Sequence, residues 1–137
     1  MLKYATAYIF TAAIFFVLDF FWLSIMATSF YRARLPDVIA LNVNYVPAVL
    51  FYLIYVAGLV IFAVNPAMET GRWQTALSHG ALLGFVAYAT YDLTSQATLK
   101  QWSTVVTLAD MAWGTLLSGI SASLGFLAAR WVAAKFG

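Results

Sequence analysis

From Tyr4 to Phe30 a single charged side chain, Asp19, interrupts a run that is otherwise apolar or weakly polar. A stretch of that length has few options. Roughly 20 helical residues cross the hydrocarbon core of a bilayer, and inside it each backbone N–H and C=O needs a partner within the segment, which a helix supplies. The run is too long for the apolar part of a signal peptide, contains Asp19, and is followed by no clear small-residue cleavage site. It reads as a retained first transmembrane helix. Composition extends that reading to the whole chain. With 64% hydrophobic and 9% charged residues and a mean hydropathy of +0.89, 137 residues cannot present a water-compatible surface.

Four runs of this kind predict an all-α integral membrane protein. The transmembrane helices are expected at about 5–28, 45–64, 75–95 and 104–129, in one domain over residues 1–137. Short connections make an antiparallel bundle the expected topology. Pro47 falls in the first turn of the second span, where its missing N–H costs little. Asn65-Pro66 is expected to end that span, with Glu69–Trp73 as the polar connection. Between the first two spans, Arg32, Arg34 and Asp37 precede or adjoin Pro36, and Val38, Ile39 and Leu41 follow it. That pattern suits an interfacial turn or short helix, or an ordinary loop. Arg130, Trp131 and Lys135 anchor the C-terminus. A small excess of basic residues on the side of Lys3, Arg72, Arg130 and Lys135 places both termini in the cytoplasm.

Several chemistries drop out. A net charge of +2 is too small to suggest nucleic acid. The absence of cysteine removes disulfides, thiolate catalysis and Cys-ligated metals. His79, the only histidine, begins the third span, across the membrane from the acids described next. A Ser-His-Asp triad or a His-rich metal site is therefore not expected. Asp19, Asp92 and Asp110 with Thr and Gln oxygens could in principle hold a hard cation, but no metal or cofactor is expected.

Those three acids are the main clue, because a carboxylate inside a span costs several kcal/mol and needs a partner or a proton. Asp19 lies past the middle of the first span, Asp92 near the end of the third and Asp110 near the start of the fourth. In an alternating bundle all three share one half of the membrane, below Arg32, Arg34 and Lys100. The stretch from Tyr88 to Gly114 is the most polar part, and Tyr91, Thr94 and Lys100 join Asp92 there. Crowded carboxylates favour shared protons. Asp19-Phe-Phe-Trp22 and Asp110-Met-Ala-Trp113 repeat an Asp-x-x-Trp spacing that puts acid and indole on one helical face. Each Trp then donates to its acid or belongs to the interfacial aromatic belt. Gly80 and Gly84 in the third span, and Gly114, Ser118 and Ala122 with Ser121 and Gly125 in the fourth, allow close helix approach. Tyr45, Tyr52 and Tyr55 share one face of the second span and could offer hydroxyls to the carboxylates, or simply pack.

With Asp-Phe-Phe-Trp-Leu in the first span, Tyr-Ala-Thr-Tyr-Asp-Leu-Thr leading into Ala-Thr-Leu-Lys, and Asp-Met-Ala-Trp-Gly in the fourth, the chain resembles a family. It is similar, over essentially its whole length, to small four-helix bacterial inner-membrane proteins classed as a domain of unknown function. Ser95 and Ser103 stand where such members commonly have Asn and Pro, which affects the local turn. Some members are encoded near fatty-acid-modifying enzymes, so the resemblance implies a place in lipid metabolism and in the bacterial inner membrane.

The leading expectation is an intramembrane acidic site that binds or processes a lipid or small amphiphile. Its candidate ligand- or proton-binding residues are Asp19, Asp92, Asp110, Tyr91, Thr94, Lys100, Trp22 and Trp113. One alternative is a proton-coupled carrier acting as a homodimer, because four helices are few to enclose a path. Another is an accessory subunit of a larger membrane complex, with the acids fixing helix packing. Membrane lipid and a homo-oligomer or larger complex are the expected partners, and whether the chain is an enzyme stays open.

Overall fold

The computed structural model describes residues 2–39 and 42–136, which contain helices and no strand. Four helices follow one another: α1 (Leu2–Arg32), α2 (Tyr45–Thr70), α3 (Trp73–Thr98) and α4 (Thr104–Phe136). By length and composition α1, α2 and α4 can cross a membrane. Helix α3, with 26 residues, has the length, but His79, Gln74, Asp92 and Gln96 make it more polar than the other three.

Helix α1 outruns its expected end. It is α-helical to Met26 and continues as a π-helix over Ala27–Arg32. Ala33 keeps helical angles (φ −64°, ψ −33°), and the chain turns only at Pro36–Val38. Pro36 sets this limit, since a residue preceding proline is pushed out of the helical region. Arg32 and Arg34 thus extend α1 and do not form a separate interfacial element. Leu41, expected on the apolar side of that turn, lies outside the described residues.

Helix α2 begins at Asn44, whose side chain accepts from the Val46 N–H at 3.2 Å, and Pro47 occupies its first turn. The expected stop at Asn65-Pro66 does not occur. Pro66 lacks the N–H that would bond the Phe62 carbonyl. Over Val60–Val64 the helix widens into a π segment, and His79 Nδ1 of α3 lies 3.2 Å from the freed Phe62 carbonyl. Two local adjustments therefore absorb the proline, and the helix runs on to Thr70. Gly71 then ends it at φ 72°, a left-handed conformation that favours glycine. The Gly71 N–H bonds the Ala67 carbonyl at 2.8 Å. The Gly71 carbonyl accepts from Arg130 Nη1 at 3.3 Å. The connection to α3 is only Gly71-Arg72.

Helix α4 is the most buried of the four, with Gly114, Leu117, Ser118, Gly119, Ser121 and Ala122 all enclosed. Helix α3 presses on that small-residue face. A Cβ added to Gly80 would lie 2.8 Å from the Ala122 Cβ and from the Ser118 carbonyl. Gly84 abuts the Gly114 backbone, and Gly114 in turn abuts the Tyr88 ring. On the other side, Gly125 receives Thr11 of α1. Such contacts supply the van der Waals packing that holds membrane helices together without a hydrophobic driving force. Along each neighbouring pair the contacts run in opposite order: Gly80 with Ala122 and Tyr88 with Gly114, Thr11 with Gly125 and Asp19 with Trp113. Phe15, Val56, Leu59, Leu117 and Phe126 fill the core, while Phe20, Ile54, Leu82 and Leu108 face outward.

Candidate functional site

The three acids converge, but not on equal terms. Asp19 on α1 accepts from two donors. Trp113 Nε1 of α4 reaches its Oδ1 at 3.1 Å, and the Tyr52 hydroxyl of α2 donates to its Oδ2. Asp110 Oδ1 on α4 accepts from the Tyr31 hydroxyl at 2.7 Å. That hydroxyl accepts from Trp22 Nε1 at 2.8 Å, so Tyr31 carries a donor chain from α1 to α4. Asp92 on α3 is fully buried, and neither of its oxygens meets a donor among the described residues. The charged group it faces is Asp110.

The two Asp-x-x-Trp pairs exchange partners. Trp113 serves Asp19 and not Asp110, and Trp22 serves Asp110 through Tyr31 and not Asp19. Between them the indoles stack, with centroids 4.5 Å apart and planes within 5°. Since Trp113 lies three residues beyond Asp110, the levels of Asp19 and Asp110 differ by roughly 5 Å of helical rise. Asp19, Trp113, Trp22, Tyr31, Asp110 and Asp92 therefore form one contiguous chain of contacts through three helices.

Tyr31 enters this chain because of the π segment. Residues nine apart on a regular α-helix point to opposite sides, at roughly 100° per residue. The Ala27–Arg32 segment, with its i→i+5 bonding, takes more residues per turn and swings Tyr31 back toward Trp22. A reading by α-helical period has no means of finding that contact.

The remaining candidates divide. Tyr91 is exposed and stands edge-to-face on Trp102, with centroids 5.8 Å apart. Thr94 does not reach the acids, because its hydroxyl donates to the Thr90 and Tyr91 carbonyls of its own helix. Such back-bonding satisfies a hydroxyl on an apolar helix. Lys100 is exposed in the turn between α3 and α4 and forms no ion pair among the described residues. That turn is held instead by Gln96 Nε2 donating to Thr104 Oγ1 at 3.0 Å and Trp102 Nε1 to Thr107 Oγ1 at 2.9 Å. Of the three tyrosines on α2 only Tyr52 meets an acid. Tyr55 pairs with Ser118 Oγ at 2.6 Å, and Tyr45 is exposed.

Beside Asp110 opens a cleft of about 310 Å³ between α2, α3 and α4, lined by Phe51, Ala87, Tyr88, Tyr91 and Asp110. Its walls are aromatic and aliphatic apart from that carboxyl and the tyrosine hydroxyls. Phe51 and Ala87 carried no sequence signal, since neither bears a polar group. No cluster of metal-ligating residues occurs among the described residues.

No curated protein and no solved structure matches this chain. A family of predicted membrane proteins of unknown function, DUF2177, matches over residues 4–127, a span that holds α2 and α3, most of α1 and α4, and the three acids. The chain belongs to this family.

Proposed function

We propose that the protein binds or processes a lipid or small amphiphile in the cleft between α2, α3 and α4, as a four-span antiparallel bundle in a bacterial inner membrane with both termini cytoplasmic. The cleft carries this reading. Its 310 Å³ falls at the lower end of the range for small-molecule sites, and apolar walls with few convergent polar groups are the usual composition of such sites. A polar head would meet Asp110, backed by Asp92, while a chain would lie along Phe51 and Ala87.

Helix α3 has to cross the membrane for this arrangement, although it is the least apolar. Its packing supports the crossing. Gly80, Gly84 and Asp92 are buried, and the Thr90, Thr94 and Thr98 hydroxyls bond carbonyls of their own helix. Cysteines placed at Gly71 and Gln101 should then be labelled from opposite sides of the membrane. Labelling of both from one side removes α3 as a span.

For the site itself, lipid extracted from the purified protein should contain an enriched species that is lost in Ala87→Trp, where the indole fills the cleft. An unchanged extract from a folded Ala87→Trp protein would refute the reading. One observation favours a proton-coupled carrier as a second reading: Asp92 faces Asp110 without a donor of its own, and one proton would bond the pair. Acid-dependent flux in liposomes, abolished by Asp92→Asn, would select it.

A further inference from the structure

The cleft also indicates the head group of its ligand, an inference that rests on the amphiphile reading above. Asp92 is 0% exposed and both of its oxygens lack donors. Asp110 faces it and has Oδ1 engaged by Tyr31. Even with one proton shared between the two acids, the pair keeps a negative charge and can accept at Asp110, the acid that lines the cleft. An ionised carboxyl accepts only, and an alkylammonium brings three donors and no acceptor. A buried carboxylate with no partner is costly, and a cation beside it relieves that cost.

The walls select further. The rings of Phe51, Tyr88 and Tyr91 surround the cleft into which Asp110 opens. Aromatic faces attract a cation within about 6 Å and give a neutral hydroxyl no comparable reward. A phosphate or carboxylate head would meet like charge. A hard metal ion wants six or more oxygens, and no cluster of three ligating residues exists among the described residues. Lys100 is exposed and leaves the place open.

We propose that the cleft holds a single-chain amphiphile with a protonated primary amine head, its nitrogen on Asp110 with Asp92 buried behind that carboxyl, and its chain along Ala87 and Phe51. Asp110, with Asp92 behind it, supplies the charge, and Tyr88 and Tyr91 supply ring faces around the cleft. The chain leaves the cleft past Phe51 and Tyr91, both exposed, toward the surrounding lipid.

The test is thermal unfolding of the protein in phosphatidylcholine nanodiscs at neutral pH with n-decylamine, n-decanol or n-decanoate added. Decylamine should raise the midpoint saturably, decanol should need roughly tenfold more for the same rise, and decanoate should do nothing. Asp92→Asn should weaken the decylamine response roughly tenfold. If that variant does not fold, Tyr91→Leu serves in its place and should weaken decylamine while leaving decanol unchanged. Equal responses to decylamine and decanol overturn the amine assignment and leave the amphiphile reading intact. No response to any of the three overturns both. A decylamine response unaltered in both variants shows binding at the bilayer surface and overturns the amine assignment.

Discussion

Asp19 and Asp92 are the same residue type, buried to nearly the same degree, within one network, yet their surroundings are opposite. Asp19 has a donor for each oxygen, one from α2 and one from α4. Asp92 has none, and across from it stands another acid. A carboxylate bonded on both oxygens by neighbouring helices fixes their positions, and its burial cost is offset within the protein without a ligand. A buried carboxylate without donors contributes nothing to packing that a leucine would not do better. On the proposed reading Asp19 belongs to the scaffold and Asp92 to the site.

The largest effect expected from this contrast is on Asp19. Asp19→Ala leaves the Trp113 N–H and the Tyr52 hydroxyl without an acceptor, and an orphaned buried donor costs about 1–3 kcal/mol. Unfolding in mixed micelles should show a loss of roughly 3 kcal/mol from the two together. A loss below about 1 kcal/mol would remove Asp19 from the scaffold and dissolve the contrast.

Tyr31→Phe should come second. It deletes the donor to Asp110 and the acceptor for Trp22 while keeping the ring, so the same measurement should register about 1–2 kcal/mol. It also frees Asp110 Oδ1, which sharpens the comparison. If the amphiphile meets the acids, its binding should survive in this variant. Loss of binding at full stability would make Tyr31 part of the site.

Asp92→Asn should give the smallest change in stability, within about 0.5 kcal/mol of the parent or above it. No donor is lost, and the amide, which donates as well as accepts, can bond Asp110. Function should nevertheless fail, read as loss of complementation wherever deletion of the protein gives a phenotype. A folded Asp92→Asn protein that complements fully would place Asp92 with Asp19 in the scaffold.

The convergence of the three acids was legible before folding, because insertion into a bilayer is a strong filter. Acids in apolar runs are expensive, so Asp19, Asp92 and Asp110 stood out by position alone, and helix periodicity matched their depths. Spacing also showed the small face of α4 and the Gly80 and Gly84 face of α3, since i to i+4 neighbours share a surface whatever packs there.

What sequence order determined by itself was therefore local and one-dimensional: which segments are helical, which residues share a face, and which carboxyls fall toward the same end of the bundle. The tertiary structure decided the partners. Asp19-x-x-Trp22 and Asp110-x-x-Trp113 look self-contained along the chain, but Trp113 donates to Asp19 across the α1–α4 contact, and Trp22 donates to Tyr31, whose hydroxyl passes the chain on to Asp110 of α4. Tyr31 joined through a π segment that breaks the regular period. Pro66 failed to end α2 because the π segment at Val60–Val64 and His79, which comes thirteen residues after that proline in the chain, take up its defect. Phe51 and Ala87 became cleft walls only when α2 met α3. Hydrogen-bond donors and cavity walls come from whichever helix lies adjacent in space, and adjacency between helices is a property of packing that no single segment contains.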